Sequence, residues 1–230
     1  PVLGVGAALT AVGLAVGQKK LDYDRLPQTS ILAAGFFVAS LVHVPIGPAK
    51  AHLVLNGLLG LLLGWAAFPA LFVGVALQAV LFQYGGLTTL GVNTASMALP
   101  AVVLGLACGR LVGRGRGAAG MAAAFAAGAG SVLGSALLVA AALALSGEAF
   151  LQAAQLIVLA HLPVMAIEGV ITAVIVSFLG RVRPALLPGR SGGDTAHDGE
   201  SGSWRGPRRH DLPDTTRAHT KRAARRPLCS

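Results

Sequence analysis

Residues 53–84 have the sequence LVLNGLLGLLLGWAAFPALFVGVALQAVLFQY, a run of 32 residues without a charge. One helix needs only about 20 apolar residues to cross a bilayer. A segment that spans lipid must satisfy its own backbone hydrogen bonds, and this requirement selects helices. The Trp65–Pro69 segment is a natural break, because proline lacks a backbone donor and disfavours helix in the residue before it. We therefore expect two short helices, at about 53–66 and 69–84.

Further apolar runs lie on both sides of this stretch, and the composition of the whole chain agrees with them. Hydrophobic residues make up 54% of the chain and charged residues only 12%, against about 25% charged residues in an ordinary soluble domain. The sequence predicts an all-α, polytopic membrane protein with about seven transmembrane helices. The other expected spans are 2–17, 30–45, 94–109, 118–145 and 150–180.

The basic residues predict how the chain crosses the membrane. The formal net charge of +9 would suggest a nucleic-acid partner in a soluble protein. Here the basic residues occupy short loops, which is the positive-inside pattern of membrane proteins. With the N-terminus outside and the C-terminus inside, Lys50 is the only basic residue in the outside loops. The inside loops then contain Lys19, Lys20, Arg25, Arg110, Arg114, Arg116, Arg181, Arg183 and Arg190.

The composition changes near the C-terminus and predicts two regions. Residues 1–185 are expected to form the transmembrane domain. Residues 186–230 are rich in glycine, serine, arginine, aspartate and proline, cannot bury a core and are expected to be a disordered basic and polar tail. We expect a multi-pass protein of the cell inner (plasma) membrane. Its expected partner is the lipid bilayer, and we expect no nucleic-acid partner.

Two histidines near the predicted outside surface are candidate metal ligands, because imidazole is the commonest ligand of transition metals. His52 is expected to open a helix after a Gly/Pro turn, where its ring can point into a cavity. His43, near the end of the predicted second helix, is a weaker candidate. The alternative for both is an interfacial histidine that hydrogen-bonds a loop carbonyl.

Other polar residues are candidates for supporting such a site. Asn56 is expected one turn beyond His52 on the same helical face; it can support a ligand or make a helix–helix hydrogen bond. Thr88, Thr89 and Asn93 can order a loop that closes over the site. Their alternative role is ordinary turn chemistry, which glycine, asparagine and threonine favour.

The predicted last helix carries two ionisable residues, His161 and Glu168. Such residues within a membrane are functional candidates by default, and a spacing of seven places them on one helical face. They suggest either a metal or proton path or contacts to another helix or subunit. A proton-coupled secondary transporter that uses both residues is therefore an alternative function.

The sequence shows no motif in a setting that suits nucleotide binding or hydrolysis. It contains no Gly-Lys-Ser or Gly-Lys-Thr and therefore no Walker A loop. Its one Gly-x-Ser-x-Gly match, GRSGG at 189–193, falls in the predicted tail and not at the strand-to-helix turn that a nucleophile elbow requires. We expect no enzyme activity and no permanently bound cofactor. Four GxxxG pairs, beginning at Gly13, Gly60, Gly105 and Gly130, favour close helix packing within the chain over a dimer face.

Three segments resemble a known family: HVPIGPAKAHLVLNG at 43–57, QYGGLTTLGVNTASMALP at 83–100 and HLPVMAIEG at 161–169. They are similar to the substrate-capture (S) component of energy-coupling-factor transporters for cobalt and nickel, the CbiM/NikM family. The resemblance covers about residues 1–185. It implies a seven-helix fold with an outward metal site that takes Co(II) or Ni(II) as a transported substrate.

The resemblance also implies a ligand set and partners. In that family a Met-His start supplies an amine, a backbone nitrogen and an imidazole, and a further histidine corresponds to His52. The sequence begins at Pro1 without the Met-His start, so we expect an N-terminal truncation of a few residues. The implied partners are a transmembrane coupling protein, ATPase subunits and a small auxiliary membrane subunit. If the metal is cobalt, the implied pathway is cobalamin biosynthesis.

Overall fold

A computed structural model describes residues 2–46, 49–83, 85–114 and 117–188, and for residues 25, 43–46 and 49–52 it describes only the main chain. These residues belong to one compact unit that spans residues 1–191. The predicted tail lies outside the described residues from 189 onward, so its disorder stays a prediction. The described part contains seven α-helices and one β-hairpin: α1 Val2–Lys19, α2 Leu26–Ala39, β1 His43–Ile46, β2 Ala49–His52, α3 Asn56–Leu63, α4 Ala67–Phe82, α5 Leu90–Arg114, α6 Ala118–Ala144 and α7 Leu151–Val182.

The helical, membrane-spanning character predicted from the sequence is confirmed. Five segments of the described chain are long and apolar enough to cross a membrane, and the α3–α4 segment Asn56–Phe82 is one of them. The apolar helix α2 is shorter, with 14 residues. Helix α3 has eight residues, or about 12 Å at 1.5 Å per residue, which is less than half of a bilayer core. The number of crossings and their orientation stay predictions.

The predicted break between α3 and α4 is present, but glycine rather than proline makes it. Helix α3 ends at Leu63, and a single 3-10 turn, Gly64–Ala66, joins it to α4. Gly64 has a φ of 56°, a conformation that favours glycine. Pro69 is the third residue of α4, where its missing N–H would have no partner within the helix in any case.

The largest error of the sequence-based boundaries concerns the second span, which we expected at 30–45. Helix α2 ends at Ala39, and the chain then forms the hairpin. Proline cannot continue a helix, and Pro45 and Pro48 both fall in this segment. His43 is therefore a strand residue and not the end of a helix. His52 is the last residue of β2 and does not open a helix.

The boundaries of α5 also differ from the prediction of 94–109. The helix runs from Leu90 to Arg114, so it includes Asn93 at one end and Arg110 and Arg114 at the other. The charged side chains of a helix end can lie in the membrane interface, and hydropathy alone therefore makes a span look too short.

Packing contacts bring the predicted inside loops to one end of the helices. The Nζ of Lys20, directly after α1, lies 5.6 Å from the centre of the Trp65 ring in the α3–α4 turn. Gly64 in that turn faces Leu106 of α5, and Gly109 of α5 faces Pro188 after α7. The basic ends of α1, α5 and α7 thus lie at the same end, which supports the alternation of directions used in the topology prediction.

The starts of α1 and α5 meet at the opposite end. Thr10 Oγ1 donates a hydrogen bond of 2.6 Å to the carbonyl of Gly91, and Gly6 packs directly on Val92. Phe37 of α2 stacks on Phe82 of α4 with ring centroids 5.8 Å apart. The hairpin follows the end of α2 that carries Phe37, away from Lys20.

Helices α3 and α5 approach each other through glycine. A Cβ on Gly60 would collide with the main chain of Ala101, and a Cβ on Gly105 would collide with the main chain of Gly60. All four GxxxG pairs have members that pack against other helices or segments of the same chain, as the simpler interpretation predicted. The contact also fixes the depth of α3 in the bundle.

Candidate metal-capture site

The hairpin places the two candidate histidines opposite each other in the main-chain register. Strands β1 and β2 are antiparallel, with His43 paired to His52 and Pro45 paired to Lys50. The amide of Leu53 donates to the carbonyl of Val42 at 3.2 Å, so the pair at 43 and 52 is a non-hydrogen-bonded pair. In such pairs the Cα atoms are only about 4.5 Å apart. The side chains of both histidines lie outside the described residues.

The register also explains how proline fits into β1. Non-hydrogen-bonded pairs alternate along an antiparallel ladder, and Pro45 therefore occupies the next one after His43. At that position the ladder needs no N–H from the strand, so proline is tolerated. The sequence could have indicated a hairpin here, because the Gly47–Pro48 pair is a typical turn dipeptide.

A carboxyl group from α7 holds the short segment between β2 and α3. The main-chain N–H of Val54 donates to Glu168 Oε1. The N–H of Leu55 lies 2.9 Å from Oε1 and 2.8 Å from Oε2 of the same carboxyl. Glu168 is completely buried. The two donors precede the start of α3 directly, and the first N–H groups of any helix lack partners within that helix.

The packing of α7 against α6 brings Glu168 to this place. Gly128 of α6 lies against Thr172 and the carbonyl of Glu168, and Gly169 lies against Phe125 of α6. Because glycine lets the helices approach closely, the Glu168 side chain can reach across to the start of α3. The strand β2 also packs against α7.

Asn56 is the first residue of α3 and is completely buried. Its Nδ2 donates to the carbonyl of Met97 at 3.2 Å and to Ser135 Oγ at 2.9 Å. These are bonds to α5 and α6, which is the helix–helix alternative of the sequence analysis. The expectation that His52 shares a helical face with Asn56 is wrong, because residue 52 belongs to a strand. Asn56 Oδ1 is buried and has no partner within the described structure.

Sequence reasoning missed Ser135, which completes this contact. Ser135 Oγ donates to the carbonyl of Ser131 at 2.8 Å, and both serines are buried. Their spacing of four residues on an otherwise apolar helix was an available signal, because such positions share one helical face.

The glycine- and threonine-rich segment before α5 is ordered by its own residues. Thr89 Oγ1 donates to the carbonyl of Gly85, and Asn93 Nδ2 donates to Thr89 Oγ1 at 3.4 Å. Gly85 and Gly86 have positive φ angles of 72° and 70°. The described hydrogen bonds of Thr89 and Asn93 are thus the turn chemistry considered as an alternative. Thr88 is exposed, and a role of these residues as a lid stays a prediction.

His161 and Glu168, which both lie on α7, have separate hydrogen-bond partners. The Nδ1 of His161 lies 2.7 Å from the carbonyl of Ile157 on its own helix, and the ring is half-buried. Glu168 binds the segment before α3 instead. Seven residues of helix separate the two groups by about 10 Å along the axis. The described hydrogen bonds do not connect them into the proton path that the alternative function requires.

The described side chains alone do not form a metal centre. Among them there is no group of three or more histidine, cysteine, aspartate or glutamate residues that could hold a metal ion. His43 and His52 are outside that set. What the described structure shows is the surroundings of the candidate ligands. These are the strand register, the Glu168 contact and the Asn56 contact.

Comparison with known protein sequences shows to which family this chain belongs. A family model described as "CbiM: Cobalt uptake substrate-specific transmembrane region" matches residues 1–186. A chain of Haemophilus influenzae, whose name assigns metal transport provisionally, is 37% identical over 199 residues, which cover 81% of this chain and 92% of the relative. The cobalt transport protein CbiM of Sorangium cellulosum is 33% identical over 189 residues, which cover 77% and 84%.

Solved structures show the same fold. The crystal structure of a transition metal transporter superposes with a TM-score of 0.64 at 28% identity and covers 78% of this chain and 88% of that chain. These matches confirm the family resemblance found in the sequence, and they confirm a transporter component rather than an enzyme. The chain belongs to the CbiM family, the substrate-specific transmembrane components of cobalt and nickel transport.

Proposed function

We propose that this protein captures Co(II) or Ni(II) at the outer surface of the cell inner membrane as the substrate-binding component of an ATP-driven uptake transporter. His52 is the proposed ligand from this chain, His43 is a weaker one, and a Met-His start preceding Pro1 supplies the remaining nitrogen ligands. A site rich in nitrogen suits Ni(II) and also Co(II). If the cargo is cobalt, it feeds cobalamin biosynthesis.

The observation that supports this site is the main-chain register of the hairpin. It pairs His43 with His52 at the end of α2 that lies away from the basic loops. Two imidazoles from a non-hydrogen-bonded pair can approach one ion, because cross-strand Cβ atoms in such pairs are only about 4.5–5.5 Å apart. The carboxyl of Glu168 and the amide of Asn56 hold the chain that follows.

The energy for uptake comes from partners in this proposal. The sequence has no Walker A loop, so ATP hydrolysis belongs to ATPase subunits that act through a transmembrane coupling protein. A small auxiliary membrane subunit completes the assembly. The metal is cargo in this scheme and not a resident cofactor.

A calorimetric titration of the full chain, preceded by the Met-His start, tests the site. We expect Co(II) or Ni(II) binding that is lost in His52→Ala and weakened less in His43→Ala. His161→Ala is the matched control, because that ring bonds its own helix and should leave the affinity unchanged. Binding that survives in His52→Ala would remove the site assignment.

Uptake into vesicles separates this proposal from the proton-coupled alternative. A secondary transporter would accumulate metal without ATPase partners and would lose uptake in both Glu168→Gln and His161→Ala. The ATP-driven scheme predicts no accumulation by this protein alone, and full uptake by His161→Ala when the coupling protein and ATPases are present.

A further inference from the structure

We propose that Glu168 is the positioning residue of the metal site: its carboxyl fixes the main chain directly after His52 and so presents that histidine to the ion. This inference rests on the proposed function, because it takes His52 to be a metal ligand. It gives Glu168 a role other than a proton path.

The argument begins with the place where α3 starts. Asn56, the first residue of α3, is completely buried and bonded to the interiors of α5 and α6. The start of α3 is therefore inside the bundle. A main-chain N–H group that is buried there, such as that of Val54, needs a protein acceptor.

Glu168 supplies this acceptor from a distant part of the chain. Its two oxygens take the N–H groups of Val54 and Leu55, which lie 114 and 113 residues earlier in the sequence. Leu55 has a φ of 50°, so it adopts a left-handed conformation that is unfavourable for a leucine unless its surroundings hold it there. The carboxyl contact is one of the interactions that hold it, together with the packing of the Leu55 side chain on the core and the bond from the amide of Leu59 to its carbonyl.

The contact controls the position of His52 because the intervening chain has little freedom. Leu53 is bonded to Val42 through its amide, and Val54 is bonded to Glu168. His52 is thus only two residues from the carboxyl contact and is tied through its neighbour to the other strand. Metal affinity depends on ligand orientation, and the loss of a group that orients a ligand typically costs about 10- to 100-fold in affinity.

Three variants test the proposal in the full chain that carries the Met-His start. Glu168→Ala removes both acceptor oxygens. Glu168→Gln preserves the shape and one acceptor oxygen but turns an N–H donor toward the chain. Thr172→Val is the matched control: Thr172 is one turn further along α7 and completely buried, and its Oγ1 has no hydrogen-bond partner within the described structure. Valine keeps the shape with which this side chain packs on Gly128 of α6.

Two measurements are made on each variant. The first is hydrogen exchange at the amides of Val54 and Leu55, which reports the contact without any metal. The second is Co(II) affinity together with the Co(II) ligand-field absorption spectrum, which reports the geometry of the ligands.

We expect Glu168→Ala to lose amide protection and about 10- to 100-fold in Co(II) affinity, with a changed absorption spectrum. Glu168→Gln should lie between that variant and the wild type, and Thr172→Val should match the wild type in all measurements. A partial rescue by glutamine marks positioning, because a collapsed fold would not recover the native spectrum.

The results that would overturn the proposal differ from those that would overturn the proposed function. Unchanged amide protection in Glu168→Ala would show that the carboxyl does not hold the segment, whatever the metal does. Lost protection with unchanged affinity and spectrum would show that the segment does not position the ligand. If the wild type and His52→Ala bind metal equally, the site assignment itself fails, and the positioning role fails with it.

Discussion

Helices α3 and α5 both begin after a short non-helical segment, and the two starts are stabilised in opposite ways. The start of α5 is held by residues within the same segment, such as Thr89 and Asn93. The start of α3 is held by Glu168 and Ser135, which are distant in the sequence. The first start is a local structure that its own residues can form. The second exists only once α6 and α7 have packed.

This difference has a consequence for function. A segment ordered by its own residues can move as a unit without disturbing the bundle, which suits a lid. A segment ordered by a buried carboxyl of α7 cannot move unless α7 moves or the contact breaks. The hairpin that carries His52 is thus linked to α7, whereas the first turn of α5, which follows residues 85–89, is linked to α1 through Gly91.

The largest expected effect comes from moving α3 itself. In Gly60→Ala the new methyl group would collide with the main chain of Ala101. A side chain could relieve such a collision by changing its rotamer, but the main chain of a helix cannot. We expect α3 and α5 to separate, with a loss of about 1–3 kcal/mol or more in the free energy of unfolding. Thermal unfolding in detergent measures it.

Gly35→Ala is the matched control for that experiment. Gly35 lies on the exposed face of α2, and a methyl group added there would meet no other atom within 4 Å. Alanine also favours helix over glycine. This variant should be as stable as the wild type or more stable. Equal melting temperatures for the two alanine variants would show that the α3–α5 contact is looser than described.

The next effect compares the same substitution at the two helix starts. Asn56→Leu removes bonds to Met97 and Ser135, and we expect a loss of about 0.5–2 kcal/mol in stability. Metal affinity should fall as well, because the start of α3 follows His52 by only a few residues. Asn93→Leu removes a long, local bond and should change both quantities less. A larger loss of stability or of metal affinity in Asn93→Leu than in Asn56→Leu would contradict this expectation.

The contrast between the two starts also explains what the sequence could predict. Hydropathy identifies the seven helices of the described residues, because lipid selects helices for a membrane-spanning segment. The charges predict which loops lie on the same side of the membrane. The local bonds of Thr89 follow from turn chemistry. The boundary errors at 30–45 and at His52 have one cause. In a short segment, hydropathy alone does not distinguish a strand from a helix.

The role of Glu168 shows the limit of such reasoning. The sequence marks it as an ionisable residue in a membrane span, and a proton path is one interpretation of that fact. Its actual partners are main-chain N–H groups of Val54 and Leu55, which have no signature in the sequence. Only the packing of α7 on α6 brings them together, and pairings over more than 100 residues cannot be inferred from spacing.

The smallest expected effect tests the local start of α5. Thr89→Val removes the hydroxyl that bonds the carbonyl of Gly85 and keeps the shape of the side chain. Because the residue is only half-buried, we expect a change of about 0.5–1 kcal/mol, or about two- to fivefold in an equilibrium. Faster hydrogen exchange in residues 85–90 should reveal it.

The same variant decides whether the loop acts as a lid, with Thr88→Val as the control because Thr88 is exposed in the same loop. If the loop closes over the ion, Thr89→Val should speed Co(II) dissociation about two- to fivefold and leave the amides of Val54 and Leu55 protected, since Glu168 holds them independently. Unchanged dissociation despite faster exchange in the loop would remove the lid from the site. Loss of protection at Val54 would show instead that the two helix starts are coupled, because a local change at one would then reach the contact that stabilises the other.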